Sequence, residues 1–414
     1  MEKSTDNFRR LYYKAVIWLF MFAAVFQNIC LIQLPNGLNI YPFHLTAILF
    51  LPVFFPVRRY KLPPWPLLLL LGILIITTLL NASDVGITFT ILSYGLGAYY
   101  CTAFLNLPTK TENDEREYIQ LLQSVLLILA AALVVKMLVF RPEILTFSQS
   151  GRFHPAIYCF FHGGCNLEAS WTALFGVFFW KKPRTAAVYM AVAWVISILY
   201  ASRAGVIACT MVTLWLLIHC RNKAYSIGRI MISLTLTVAV SIGFLFVYWK
   251  LPIADLALDE EMSTSAESIE EPNWMENMRL DTVSSDPGSR GRLMMWKLVP
   301  QAFLDRPQGY GAGNAVKAIE RFSGGIDFAE DNIHNLVLQF LLDGGALGAI
   351  VFVAISAVFG IVQLRDHLAK DPRAAFLAFF IILGMIQFQG PEICMFLVLA
   401  LYLARKREMI QKGA

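Results

Sequence analysis

The polar residues around His334 have the types needed for acid–base chemistry. His334 lies between the amides Asn332 and Asn335, immediately before an apolar run that begins near Leu336. A histidine with the ordinary pKa of about 6.5 is mostly neutral at neutral pH and can accept a proton from a hydroxyl group. Polar residues at the mouth of a membrane span are costly to keep there, which favours a function. The alternative is a histidine that only caps the following helix.

Four arginines have the chemistry to hold an anion such as a diphosphate, because a guanidinium makes paired hydrogen bonds to phosphate oxygens. They are Arg152, Arg203, Arg290 and Arg292. The alternative for Arg203 is contact with lipid headgroups, and for Arg290 and Arg292 a salt bridge to nearby acidic residues. No Asp-x-Asp pair occurs in residues 250–332, so a bound metal is less expected to neutralise such an anion. We therefore predict no metal site and no cofactor.

The elements that must position these residues are predicted to be membrane helices. Of 414 residues, 57% are hydrophobic and only 15% are charged, whereas soluble proteins carry about 25% charged residues. Apolar runs long enough to cross a hydrocarbon core of about 30 Å recur along most of the chain. We predict an all-α fold, a polytopic helical bundle of about twelve spans. The predicted spans are residues 12–33, 39–56, 64–81, 85–106, 118–140, 160–180, 185–201, 204–219, 228–249, 336–364, 374–389 and 391–404.

Basic residues give the predicted spans a direction, because Lys and Arg in short loops accumulate on the cytoplasmic side. With a cytoplasmic amino terminus, most basic residues of the short connections fall inside, and the carboxyl terminus is cytoplasmic as well. Three domains follow from this arrangement. Residues 1–249 contain the first nine spans, residues 250–332 form one large outer loop, and residues 333–414 contain the last three spans and a cytoplasmic tail.

The outer loop divides into two parts by composition. Residues 255–276 are rich in Asp, Glu and Ser and contain no Lys or Arg, which predicts a solvated linker. Residues 290–303 intersperse apolar side chains with Arg292 and Lys297, which favours an amphipathic helix on the membrane surface. Pro307 and the three glycines that follow it predict a flexible turn after this helix.

Three short patterns occur in a fixed order in the second half of the chain. They are Ser202-Arg203-Ala204-Gly205; Arg292-x-x-x-Trp296 followed by Arg306-Pro307-x-Gly309-x-Gly311-x-Gly313; and His334-Asn335-x-x-Leu338-x-x-x-x-x-Gly344-x-x-x-Gly348. Together they resemble the O-antigen ligase and O-antigen polymerase superfamily of bacterial inner membranes. The resemblance covers roughly the second half of the chain, and the first half is similar only as a row of membrane spans.

The resemblance implies a metal-independent, inverting glycosyltransferase whose active site faces the periplasm. Its donor would be a saccharide on undecaprenyl diphosphate, and Arg203 and Arg292 would bind the diphosphate, with Arg290 and Arg152 as further candidates. The outer loop would then be periplasmic, and the chain a multi-pass protein of the bacterial inner membrane.

The acceptor side of the reaction is assigned by the same resemblance. His334 would activate or orient the acceptor hydroxyl, and Asn332 and Asn335 would orient the histidine or the acceptor. The acceptor would be a glycan or lipid A core. Membrane lipids and other polysaccharide-assembly proteins are further expected partners, and no nucleic acid is expected.

Members of this superfamily differ mainly in acceptor, and one feature favours a repeat-unit polymerase slightly over a ligase. Arg152 is followed by Gly163 eleven residues later, which is similar to a motif of some polymerases. Related enzymes glycosylate protein hydroxyls. A transporter of lipid-linked sugars would share the spans and the outer arginines, but the sequence shows no convincing internal repeat. A noncatalytic scaffold of a polysaccharide-assembly complex is a further alternative.

Overall fold

The computed structural model describes most of the chain outside the segments 140–158 and 220–286. The described residues are 2–33, 39–55, 60–86, 88–107, 112–139, 159–162, 164–200, 202–219, 287–326, 328, 332–365, 371–387 and 390–413. In these residues the regular structure is helical except for one antiparallel pair of two-residue strands, β1 (Ile32–Gln33) and β2 (Asn39–Ile40). The predicted all-α class is confirmed at this level.

Fourteen α-helices lie in the described parts of the chain. They are α1 (Glu2–Val25), α2 (Pro42–Phe50), α3 (Trp65–Leu80), α4 (Ala82–Val85), α5 (Phe89–Asn106), α6 (Glu112–Val139), α7 (Cys165–Phe175), α8 (Pro183–Leu199), α9 (Arg203–His219), α10 (Pro287–Asp305), α11 (Ala315–Glu320), α12 (Leu336–Arg365), α13 (Pro372–Gly384) and α14 (Ile393–Gly413). Short 3-10 helices follow α2 and α7. Eleven of the predicted spans overlap one of these helices, and the span 228–249 lies outside the described residues.

Among the described residues, two helical segments are long and apolar enough to cross a membrane, Arg116–Leu138 in α6 and Leu336–Gln363 in α12. Only 22% of the most apolar window of α12 is buried, and Leu347 and Ile350 are exposed by 57% and 64%. A core helix of a soluble protein would bury such side chains, so this exposure is consistent with a membrane protein. The number of spans, their direction and the periplasmic loop stay predictions.

The chain forms two compact units, and each is described by itself. The first comprises Met1–Leu122 and Ser285–Ala414, and the second comprises Gln123–Ser284. In the first unit α12 packs along α3, and α14 packs along α5. In the second unit α9 packs against α7 and α8. The domain boundaries predicted from sidedness stay a prediction.

A buried ion pair holds the second unit together near the start of α9. Lys136 Nζ lies 2.7 Å from Glu168 Oε1, and the two side chains are 4% and 0% exposed. The Tyr200 hydroxyl donates to the same carboxylate oxygen at 2.5 Å, and the Phe160 backbone N–H donates to the other oxygen. Because Tyr200 lies between α8 and α9, the ion pair anchors the corner from which Arg203 begins α9.

Candidate functional site

Arg203 is the first residue of α9, in the second unit. The hydroxyl of the buried Ser202 accepts a hydrogen bond from the Gly205 backbone N–H at 3.0 Å, which satisfies one free donor at the helix start. A Cβ at Gly205 would lie 2.7 Å from both Ala169 Cβ and Ser197 Oγ, so α9 approaches α7 and α8 closely here. The serine and the glycine of this pattern therefore fix the backbone around Arg203.

His334 lies in the connection before α12, in the first unit, and its side chain is buried. Its φ of 56° is in the left-handed region, and among the described residues no other non-glycine residue has a positive φ. The Asn332 side-chain oxygen accepts a hydrogen bond from the His334 backbone N–H at 2.9 Å and forms a local turn that holds this conformation. Such a conformation costs roughly 1–3 kcal/mol, and residues held in this way are concentrated at active sites.

Asn335 also acts on the backbone around His334. Its side-chain oxygen accepts a hydrogen bond from the Leu338 backbone N–H at 3.0 Å and caps the start of α12. Its amide nitrogen donates to the Met385 carbonyl oxygen at 2.9 Å, which ties this helix start to the end of α13. Asn332 and Asn335 thus bond to the backbone at and after His334, and their role in orienting the histidine or the acceptor stays a prediction.

Arg292 is connected to the histidine segment through α10. The Trp296 indole N–H donates to the Ile333 carbonyl oxygen at 2.8 Å. Arg292 is half-buried and lies four residues before Trp296, on the same face of α10. The backbone of Arg290 lies in α10, but its side chain is outside the described part of the structure. Arg152 lies outside the described residues, as does the acidic linker 255–276.

The apolar face of α10 packs against protein. Met295 and Val299 are buried in a cluster that includes Tyr310, Ile319 and Leu342. These two side chains were among those predicted to face a membrane surface. Because they lie in a protein core, α10 is a fixed platform for Arg292 within the first unit.

The loop after α10 is packed tightly, so the prediction of a flexible turn there is wrong. Gly309 has a φ of 93°, and a Cβ on it would lie 2.7 Å from the Asp343 carbonyl oxygen. Gly345, with a φ of 68°, faces it, and a Cβ there would overlap the backbone of Pro307 and Gln308. Two backbones therefore touch at these glycines, which a side chain at either position would prevent.

The same loop supplies hydrogen bonds that α12 lacks where Gly345 interrupts it. In a continuous helix the Leu342 carbonyl would accept from the Ala346 N–H. Here the Leu342 carbonyl accepts from the Tyr310 backbone N–H at 2.7 Å, and the Ala346 N–H donates to the Pro307 carbonyl at 2.9 Å. The glycine pattern of residues 306–313 and the glycines of α12 thus form one structural unit.

Arg306 joins this unit to the connection between α3 and α4. Its guanidinium donates to the Asn81 side-chain oxygen at 2.8 Å and forms an ion pair with Asp84. Arg321 lies 3.1 Å from the same Asp84 carboxylate, and both guanidinium groups lie over the Tyr310 ring, 5.2 and 5.9 Å from its centre. Hydrogen bonds from Arg321 and Arg306 hold the pKa of Asp84 below its ordinary value. The contacts of Arg306 therefore stabilise the fold of the first unit.

Two residues that the sequence analysis missed, Gln339 and Asp343, lie buried in α12. The Gln339 side-chain oxygen accepts from the Ile333 backbone N–H at 3.1 Å, and its amide nitrogen donates to Asp343 Oδ2 at 3.0 Å. Polar residues four positions apart inside an apolar span lie on one face of the helix, and that spacing was a usable signal.

Part of the chain is similar to a known protein family. Residues 185–353 match the Wzy_C family model, which describes an O-antigen ligase. The matched segment contains Arg203, Arg290, Arg292 and His334, whereas Arg152 lies outside it. Among curated proteins, none matches the chain. The match over residues 185–353 supports the similarity of the chain to the O-antigen ligase and polymerase superfamily.

Proposed function

We propose that the chain is an integral membrane glycosyltransferase that moves a saccharide from undecaprenyl diphosphate to an acceptor hydroxyl. The product would be a cell-surface polysaccharide such as O-antigen, capsule or exopolysaccharide. The observation that carries the proposal is the support around His334, whose strained backbone is held by Asn332 and tied to α10 through Trp296. An imidazole held in this way is suited to act as a general base.

In the proposed reaction His334 takes the proton of the acceptor hydroxyl while the hydroxyl oxygen forms a bond to the anomeric carbon. The bond between that carbon and the diphosphate oxygen breaks, the lipid diphosphate leaves with the electron pair, and the configuration inverts. Arg203 and Arg292 bind the diphosphate and stabilise its charge as it leaves, without a metal ion. Because His334 is buried, the acceptor must displace the groups that cover the imidazole.

Repeat-unit polymerase is the slightly favoured activity, and ligation to lipid A core is the alternative. The arginine–glycine pair that favours polymerase, Arg152 and Gly163, lies outside the described residues. We place the site at the periplasmic face of the bacterial inner membrane, with both termini in the cytoplasm. Transport of lipid-linked sugars is the less favoured function, since a transporter has no need of a general base held in a fixed position.

The test is a transfer assay with the purified protein in lipid and a defined undecaprenyl-diphosphate saccharide. Either more of this donor or lipid A core is offered as acceptor. Lengthening of the lipid-linked glycan identifies a polymerase, and transfer to the core identifies a ligase. Donor binding without transfer to either would contradict both and point to a protein acceptor or to transport.

His334→Ala tests the proposed base. It should remove turnover and leave donor binding nearly unchanged, because the diphosphate contacts are assigned to other residues. The matched control is His219→Ala, at the far end of α9, where the imidazole bonds to the Trp215 carbonyl one turn earlier in the same helix. Equal loss of turnover and donor binding in His334→Ala would refute the division of roles.

Arg203→Lys tests the proposed diphosphate contact. A lysine keeps the charge but lacks the planar pair of donors, so it should impair transfer nearly as much as Arg203→Ala. Full activity in Arg203→Lys would show that charge alone is required.

A further inference from the structure

A path of hydrogen bonds leads from the glycine loop to the residue before His334. The Ile333 backbone N–H donates to the Gln339 side-chain oxygen at 3.1 Å, and the Gln339 amide nitrogen donates to the Asp343 carboxylate at 3.0 Å. The backbone N–H groups of residues 313–315 lie near the same carboxylate, and the Asp343 backbone is bonded to the loop at Gly311. The path therefore begins in the loop and ends one residue from the candidate base.

The chemistry of each group determines which atom donates and which accepts in each hydrogen bond of this path. Because the Gln339 oxygen must accept from the Ile333 N–H, the Gln339 nitrogen is left to donate toward residue 343. A carboxylate has only acceptors, so it can face the Gln339 nitrogen on one side and the N–H groups of the loop on the other. Gln339 and Asp343 are 3% and 1% exposed. At this burial, water is a poor substitute for a lost partner.

The backbone of Asp343 adds a second connection to the loop. Its carbonyl oxygen accepts from the Gly311 N–H at 2.9 Å, next to the interruption of α12 at Gly345. Asp343 thus holds the loop through its carbonyl, and its carboxylate connects the same residue through Gln339 to the turn that contains His334.

We propose that Gln339 and Asp343 are positioning residues that set the placement of the His334 imidazole. This inference rests on the proposed function of His334 as the base. Neither residue is assigned a contact with substrate. They act by fixing the Ile333 backbone, so that His334 keeps the left-handed conformation from which its side chain projects.

The test measures kcat and the KM for the donor in Gln339→Leu and Asp343→Asn. Gln339→Leu removes both hydrogen bonds. Asp343→Asn keeps the shape but turns an amide nitrogen toward a donor on one side or the other. A displacement of about 1 Å lowers rates by up to about 100-fold, so kcat should fall by about 10- to 100-fold, whereas the donor KM should change by less than about 3-fold.

The matched control is Gln363→Leu, which removes a glutamine in the same helix. Gln363 donates to the Tyr402 hydroxyl at 2.9 Å and has no connection to the histidine turn in the described structure. Its kcat and KM should equal those of the wild type. Melting in detergent identifies a Gln339→Leu protein that does not fold, in which case the shape-preserving Asp343→Asn variant decides.

The outcomes separate this inference from the proposed function. Transfer by the wild type, its loss in His334→Ala and normal kcat in both path variants would overturn the positioning role alone. A parallel loss of kcat and donor binding in the path variants would overturn it as well, because that is the mark of general damage. No transfer by the wild type, or full turnover in His334→Ala, would overturn the proposed function and the positioning role with it.

Discussion

Trp296 donates its indole N–H to the Ile333 carbonyl oxygen at 2.8 Å. This bond joins α10 to the turn that contains His334, and Arg292 lies one helical turn away on α10. The candidate diphosphate ligand and the candidate base in the first unit therefore share one support, although 42 residues separate them along the chain.

Replacing this tryptophan should lower turnover. Trp296→Phe keeps an aromatic ring but removes the donor to the Ile333 carbonyl, and an unsatisfied buried polar group costs about 1–3 kcal/mol. We expect a lower kcat and a lower melting temperature. The control is Trp194→Phe in the second unit, where the indole N–H donates to Thr213 at 3.3 Å. Equal losses of kcat in the two variants would contradict a specific role for Trp296.

Alanine at Gly309 should destabilise the protein more than alanine at Gly324. Both glycines have positive φ, but a Cβ at Gly324 meets no atom within 4 Å, whereas one at Gly309 meets the α12 backbone. Gly324→Ala should cost about 1–2 kcal/mol from its conformation. Gly309→Ala should cost about 1–3 kcal/mol more from overpacking. Unfolding in detergent measures both, and equal destabilisation would show that the close approach is unimportant.

The Asp84 ion pairs should make part of the stability depend on pH. Since hydrogen bonds from Arg321 and Arg306 lower the pKa of Asp84 in the folded protein, the stabilisation is complete above the ordinary aspartate pKa of about 3.9. It is lost as the pH falls through the lowered pKa of the folded state.

The comparison is between the wild type and Asp84→Asn. Asp84→Asn should melt at a lower temperature than the wild type at pH 7, and the difference should vanish in acid. The difference should be small and shrink in high salt, because the Asp84 carboxylate is exposed. A difference that is the same from pH 7 to pH 3 would contradict this assignment.

Removing one partner of the buried ion pair should be strongly destabilising. Glu168→Gln leaves Lys136 buried with an uncompensated charge, which costs about 3–5 kcal/mol. The control is Glu117→Gln, which breaks the ion pairs of Glu117 with Lys14 and Arg10 at a partly exposed site and should cost less than about 1 kcal/mol. Unfolding free energies give the comparison. Similar values would show that Glu168 is not needed to balance Lys136.

The helices were largely predictable because the long apolar runs of this sequence coincide with helices. The predicted span 64–81 corresponds to α3 at Trp65–Leu80, and the predicted span 204–219 corresponds to α9 at Arg203–His219. The first span was less accurate. It was predicted over 12–33, whereas α1 runs from Glu2 to Val25 and a strand follows at Ile32. Charged residues at the helix start lowered its apolar signal.

The candidate site was predictable in its residue types but not in its connections. His334 and the arginines differ from their apolar surroundings in the sequence. The glycine loop packs on α12 because the backbones at Gly309 and Gly345 come into contact. The sequence does not reveal this contact, since Gly309 by itself resembles an ordinary turn residue. Gln339 and Asp343 are hard to recognise in the sequence because the span around them is strongly apolar on average.

The interruption at Gly345 divides α12 into pieces with different surroundings. Before it, Phe340 and Leu342 are buried in protein, and after it Leu347 and Ile350 are exposed. The second piece, 346–365, is about 30 Å long at 1.5 Å per residue, which equals the hydrophobic thickness of a bilayer. A bilayer matched to that piece would have its boundary at the interruption. In such a bilayer the first piece of α12 and the His334 turn that precedes it would stand outside the acyl chains.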